Sequence, residues 1–340
     1  MSSDHIAYAM RNAEATEKFI SFNAPSQLLD WSFIAIELIL LVGIICAIVH
    51  AFRHAKLTGG KSALLTLLAA FYYGVLMDMF GYYGPESFWH GEFSVMFLYN
   101  RLPLYIALFY PAFMYHVYMT IRRYNFSPIV EALSVGFYSG LTYQIFDNLG
   151  PQLGWWIWDP NEITNQPFLS SVPVTSYQWF FTFEAAFALV TRYVCWEWPA
   201  KGYSTGKIVA GMIAVPFLTF IVGTLIFVPY QTLVQFGQVG LAAATHALLF
   251  SAFGLVFLFN WRRPLMKRDK LLMIFPLTFV VGLMYIYIAK VDQFYGATDG
   301  LNAEGWPVGN LIAVILGMVG SLAILLKTHP VEDAPAVAES

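Results

Sequence analysis

The stretch Trp31-Ser-Phe-Ile-Ala-Ile-Glu37-Leu-Ile-Leu-Leu-Val-Gly-Ile-Ile-Cys46-Ala-Ile-Val-His50-Ala-Phe52, closed at once by Arg53, Lys56 and Lys61, decides the fold class. As a helix it covers about 33 Å, enough to cross a hydrocarbon core of about 30 Å. Eight further apolar stretches follow, at 62–79, 102–121, 128–147, 171–193, 207–230, 236–261, 270–290 and 309–327. The composition agrees. Of 340 residues, 58% are hydrophobic and 11% charged, where a soluble domain carries about 25% charged residues. A cytosolic enzyme and a disordered chain are excluded. A net charge of −3 with no basic cluster outside short loops also excludes a nucleic-acid binder. The expectation is an all-α, polytopic integral membrane protein with nine transmembrane helices, multi-pass in the cell membrane.

Lysine and arginine set the orientation, because cytoplasmic loops collect them. Of 18 basic residues, 14 follow spans one, three, five, seven and nine, among them Arg53, Arg122, Arg192, Arg262 and Lys327. The opposite side has Arg11, Lys18, Arg101 and Lys290. This places the N-terminus outside and the C-terminus inside. The outer side owns the long connections 80–101, 148–170 and 291–308, rich in Gly, Pro, Trp and carboxylates. Trp31, Trp89, Trp155, Trp156 and Trp306 fall near that boundary, where an aromatic belt would account for any one of them. Around the transmembrane domain 31–327 lie a polar N-terminal segment, 1–30, and a tail, 328–340, that reads as disordered. Residues 5–20 suit an interfacial helix, and no cleaved signal peptide is read at the start. Cys46 and Cys195 lie in or beside apolar runs and suggest neither a disulfide nor a thiolate metal site.

Shifting the chain by 66 positions matches Phe71, Tyr72, Gly74, Gly84, Pro85 and Trp89 to Phe137, Tyr138, Gly140, Gly150, Pro151 and Trp155. Each set runs from an outward-going helix into an outer loop, which returns through Pro103 or Pro173. Spans two–three and four–five therefore read as a parallel internal repeat whose outer loops meet over one site.

Ionisable side chains within apolar spans cost several kcal/mol and are functional candidates. Glu37, Asp78 and Asp147 come from three helices at similar outer depth and suggest one pocket. Glu184 and His246 lie near the middle of spans five and seven, His116 in the inner half of span three, and Arg101 opens span three. A bland reading has Arg101 neutralise one carboxylate while the others reach headgroup water. His50 and His54 form an HxxxH pair, but seven histidines are too few for a His-rich di-iron site. No HExxH, P-loop, GxGxxG or NDxxD occurs, so no metal and no cofactor is expected. What remains is acid chemistry in an aromatic pocket. Apolar surroundings disfavour a charged carboxyl group, so such a group can protonate an alkene while aromatic faces stabilise the cation.

The run Asp147-Asn-Leu-Gly-Pro-Gln-Leu-Gly-Trp-Trp-Ile-Trp158, then Val172-Pro173-Val174-Thr-Ser176-Tyr177-Gln-Trp179-Phe-Phe-Thr182 and Arg192, resembles the carotenoid-biosynthesis membrane family. That family includes carotenoid 1,2-hydratases and bacterioruberin-type hydratases. The resemblance spans about residues 71–192 and implies cofactor-independent addition of water to a terminal isoprenoid double bond. By position it points to Asp147, Trp155, Trp158 and Trp179. The segment Glu86-Ser-Phe-Trp89-His90-Gly-Glu92-Phe departs from the family's Gly/Tyr-rich stretch and leaves the substrate open.

The resulting expectation is a membrane enzyme performing hydration, isomerisation or cyclisation on an isoprenoid or carotenoid-type lipid. Asp147, Asp78 and Glu37 are the proton-handling candidates, with Glu86 and His90 behind them. Trp89, Trp155 and Trp158 are expected to line the cavity, with Arg101, Asp159, Trp179, Glu184 and His246 as further binding candidates. The alternative is a lipid or small-molecule transporter, or a subunit of a larger membrane complex. A water path lined by Glu184 and His246 would favour transport. Partners are the bilayer and a hydrophobic substrate, with the oligomeric state open.

Overall fold

A helix occupies each of the nine apolar stretches. In the computed structural model, which describes residues 17–83, 88–159, 161–165, 172–261, 269–298, 300–303 and 305–327, these are α1 (Ser32–Thr58), α2 (Ser62–Tyr83), α3 (Leu104–Arg122), α4 (Pro128–Leu149), α5 (Val174–Thr191), α6 (Thr205–Gln235), α7 (Val239–Phe259), α8 (Leu271–Ala289) and α9 (Leu311–Leu326). Six of them, α1, α2, α3, α6, α7 and α8, are long and apolar enough to cross a membrane. The protein is thus mostly helical, with the make-up of a multi-pass membrane protein. Hydroxyls and amides such as Thr142, Asn148, Ser176 and Gln178 lower the hydropathy of α4 and α5, and α9 has only 16 residues.

Local chemistry sets the helix ends. Pro103 and Pro173 hold extended backbone immediately before α3 and α5, and Pro128 opens α4, where a missing N–H costs nothing. Gly59 ends α1 at φ 71°, a left-handed cap that suits glycine. The Asn310 side chain accepts from the Ala313 N–H at 3.0 Å and caps α9.

Lipid is as apolar as leucine, so close packing rather than burial from water selects the neighbours. Helix α4 packs on α5, α9 and α7; α1 packs on α8 and α3; and α2 packs on α3, α1 and α6. Helix α3 lies inside, its apolar window 78% buried, whereas α7 is peripheral at 22%. A Cβ at Gly74 would sit 2.1 Å from Tyr110, so only glycine lets α2 approach α3 this closely.

The loops of the two ends differ in kind. At one end they form short strands: β1 (Ile20–Phe22), β2 (Phe88–His90), β3 (Val95–Phe97), β4 (Leu102–Pro103) and β5 (Trp156–Trp158). Strand β3 lies between β1 and β4, and β2 pairs with β5, all antiparallel. These strands are absent from the all-α expectation. They arise because loops gathered at a bundle end must pair their own backbone groups. Ile20 is the first residue of β1, which corrects the end of the interfacial helix expected over 5–20; residues 1–16, the tail 328–340, Gly84, Pro85 and Arg262 lie outside the described residues.

Lys290 Nζ binds Asp30 Oδ2 at 2.6 Å at this end. Partial burial raises the Asp30 pKa, but hydrogen bonds from Lys290 and Ser32, with the Lys290 charge, bring it below its ordinary 3.8. A depressed carboxyl pKa contributes stability that is complete above the unfolded value and lost as pH falls through the folded one. Asp30→Asn should therefore melt below the wild type at neutral pH, with the difference shrinking only below about pH 3.8. Thermal melts in detergent across pH check this, and a difference fading already at pH 6 would contradict it.

At the other end the arginines are paired. Glu131 Oε2 accepts from Arg122 Nη1 at 3.0 Å and from Arg192 Nη1 at 3.1 Å. Arg192 Nε also binds Glu197 Oε1 at 2.9 Å. The Arg122 guanidinium lies 4.7 Å from the Trp196 ring centroid. Helices α3 and α4 and the π-helical turn Arg192–Glu197 are joined at this cluster.

Candidate functional site

The pairing of β2 with β5 determines which aromatic residues face inward. The register sets Phe88 opposite Trp158, Trp89 opposite Ile157 and His90 opposite Trp156. Directly opposed residues share a face, and neighbours along a strand take opposite faces. Phe88, His90, Trp156 and Trp158 thus roof a cavity, while Trp89 and Ile157 turn away from it. The Gly91 N–H extends the pairing to the Trp155 carbonyl at 2.9 Å. Gly154, at φ 72°, makes the turn that brings β5 back.

Beneath this roof lies a cavity of about 240 Å³ bounded by α2, α3, α4, α5 and α6. Twelve of its 21 lining side chains are aromatic, including Tyr105, Phe109, Tyr110, Phe146 and Trp179. Asp78 of α2 is the one carboxylate among the described lining residues, and no lysine or arginine is among them. His90 Nε2 stands 3.5 Å from Asp78 Oδ1, just beyond a well-formed hydrogen bond. His90 Nδ1 is hydrogen-bonded to the Tyr105 hydroxyl at 2.8 Å. Both Asp78 and His90 are buried. Asp78 Oδ2 and the indole nitrogens of Trp156 and Trp158 have no protein partner. Such groups are costly in an apolar interior unless something binds them.

The other candidates are placed differently. Asp147 is fully enclosed and does not line the cavity. It sits behind it, beside the Ser176 and Tyr143 hydroxyls that do, with neither carboxyl oxygen well hydrogen-bonded. Glu37 faces Ser94 and Val95 at β3, so it does not join Asp78 in one pocket. Trp155 gives its Nε1 to Ser32 Oγ at 3.2 Å and lies against Phe146. Trp89 and Trp155 are thus corrected from cavity lining to packing, and Trp156 takes the wall position. Trp158 and Trp179 line the cavity, Trp179 stacking on Phe183 at 3.9 Å.

Arg101 follows Leu98, Tyr99 and Asn100, all at positive φ, in the turn between β3 and β4, and it does not reach the cavity. Asp159 Oδ1 accepts from the Asn161 N–H and Nδ2 at 2.8 and 3.0 Å, a turn-forming role. Glu184 lies beside Tyr73 and Tyr110. His246 of α7 instead bonds Gln178 Oε1 at 3.1 Å and lines a second, separate cavity. No residue is common to the described linings of the two cavities. Glu86 lies outside them. No group of three His, Cys, Asp or Glu that could hold a metal ion occurs among the described residues.

Nothing in the sequence marks Tyr105, Tyr110, Trp156 or Ser176 as a wall residue. Each is one aromatic or hydroxyl residue among dozens, and nothing local separates wall from packing. The spacing of Phe88 and His90 was the available signal, since two residues apart on a strand share a face.

No curated protein and no solved structure matches the chain. A family profile does, over residues 8–293, and so covers most of the sequence. The chain belongs to the family described as a domain of unknown function, DUF7802.

Proposed function

We propose that the protein is a membrane enzyme performing cofactor-independent acid chemistry on an isoprenoid-type lipid: hydration, isomerisation or cyclisation. The observation that carries the reading is the Asp78 carboxyl, with one free oxygen, set in an aromatic chamber beside His90 and Tyr105. In the proposed step the Asp78 carboxyl gives its proton to an alkene carbon, and the π pair becomes the new C–H bond. A tertiary cation remains, and ring faces around it attract positive charge. In hydration, water adds to the cation and its surplus proton returns to the Asp78 carboxylate. In isomerisation, the carboxylate takes a proton from the carbon next to the cation. His90, tied to Tyr105, orients the Asp78 carboxyl and can relay the proton. Asp147 acts through Ser176 and Tyr143. The isoprenoid assignment draws on the resemblance of residues 71–192 to the carotenoid hydratases.

The reading includes nine membrane crossings in the cell membrane, an external N-terminus, and pairs α2–α3 and α4–α5 as a parallel repeat. The junction of β2 with β5 supports it by joining the two outer loops. Cysteines introduced at 291–298 should react with an impermeant reagent on intact cells, and cysteines at 123–127 should not. The reverse pattern would move the cavity to the cytoplasmic side.

Mass spectrometry of lipid extracts from cells with and without the protein tests the activity. An isoprenoid shifted by the mass of water, or an isomer of changed retention, is expected. Unaltered lipids that are only redistributed across the bilayer would favour the transporter reading.

A further inference from the structure

We infer that the cavity under β2 and β5 is a binding site for small hydrophobic organic cations of the alkylammonium class. The argument is one of charge balance. The lining holds Asp78, which is 3% exposed and has an unpartnered Oδ2, and twelve aromatic side chains. Aromatic faces carry negative potential and bind quaternary ammonium groups. Once it has given up its proton, the Asp78 carboxylate is a charge taken out of water and needs a countercharge. The described lining supplies none beyond the His90 imidazole. The walls therefore favour a positive guest that is itself apolar on its outside.

Size narrows the guest. A dry cavity of about 150 Å³ holds benzene, so about 240 Å³ suits a guest of about ten heavy atoms by the same proportion. Tetraethylammonium, with nine, is of that size. This inference rests on the reading of the cavity as a place where positive charge develops, because an ammonium ion imitates the carbocation. It extends that reading to a stable ligand and hence to a class of inhibitors.

Tetraethylammonium and its uncharged isostere 3,3-diethylpentane should be titrated into the purified full-length protein in a non-ionic detergent. Calorimetry and tryptophan fluorescence serve as readouts. The cation should bind at least tenfold more tightly than the isostere. Asp78→Asn should remove at least tenfold of the cation's affinity without changing that of the isostere, and Asp78→Glu should retain most of it. Equal binding of cation and isostere by the wild type would overturn the inference, and that comparison needs no variant to fold. Unchanged cation affinity in a folded Asp78→Asn protein would overturn it as well. Cation binding without lipid turnover would leave it standing and remove the enzyme reading. Turnover without cation binding would do the reverse.

Discussion

Asp78→Asn lowers lipid turnover by about 10²–10⁴-fold, the usual cost of losing a general acid, and leaves the fold in place. The amide has nearly the shape of the carboxyl, and Asp78 has no hydrogen bond on Oδ2 to lose. What it cannot do is deliver a proton or pair with a cation. Asp147→Asn should act more weakly, because Asp147 reaches the cavity only through Ser176 and Tyr143. His90→Gln should fall between them, since Tyr105 then loses its imidazole partner. Rates of purified variants on the lipid identified by mass spectrometry decide the order. A wild-type rate in Asp78→Asn would take Asp78 out of the mechanism, and a larger loss in Asp147→Asn would transfer the acid to that residue.

The largest loss of stability is expected from Glu131→Gln, about 3–5 kcal/mol, the range for breaking a buried ion pair by removing one partner. Glu131 is 0% exposed and serves two arginines at once. Tyr118 also donates to its Oε1 at 3.1 Å. Without the carboxylate, two guanidinium groups of like charge face each other across α4 with no anion between them. Glu197→Gln is the control. Its side chain is 28% exposed, so solvent screening leaves its pair with Arg192 worth only about 0–1 kcal/mol. Unfolding titrations in mixed micelles should separate the two variants clearly. Equal stability of both would mean that water reaches the Glu131 cluster.

Asp78 could be picked out from the chain because ionisable groups in apolar spans are rare and costly, and His90 because it stands in a loop run of aromatic and acidic residues. The long loops could be located because Gly, Pro and Trp break the apolar runs. The error over Trp155 and Trp156 has a simple origin. Both lie in one Gly-Trp-Trp-Ile-Trp run, and the pairing of Trp156 with His90 across strands decides which indole faces the cavity. Trp89 and Trp155, matched by the 66-residue shift, lie on loops that the β2–β5 pairing joins, and both side chains are buried there.

Residue by residue, hydropathy and proline or glycine at the ends determined the helices: each spans its own hydrogen bonds, so its existence depends on local sequence alone. The grouping of the carboxylates depended on tertiary structure. The sequence suggests similar depth for Glu37, Asp78 and Asp147, but depth does not fix the direction in which a side chain points. Rotation of each helix about its axis is set by its packing partners. Glycine contacts such as Gly74 on Tyr110 orient α2, Asp78 enters the cavity, and Glu37 turns to Ser94. The pairing of Glu131 with Arg192 likewise required α3, α4 and the turn Arg192–Glu197 to converge, because opposite charges 61 positions apart carry no mark of each other in the chain.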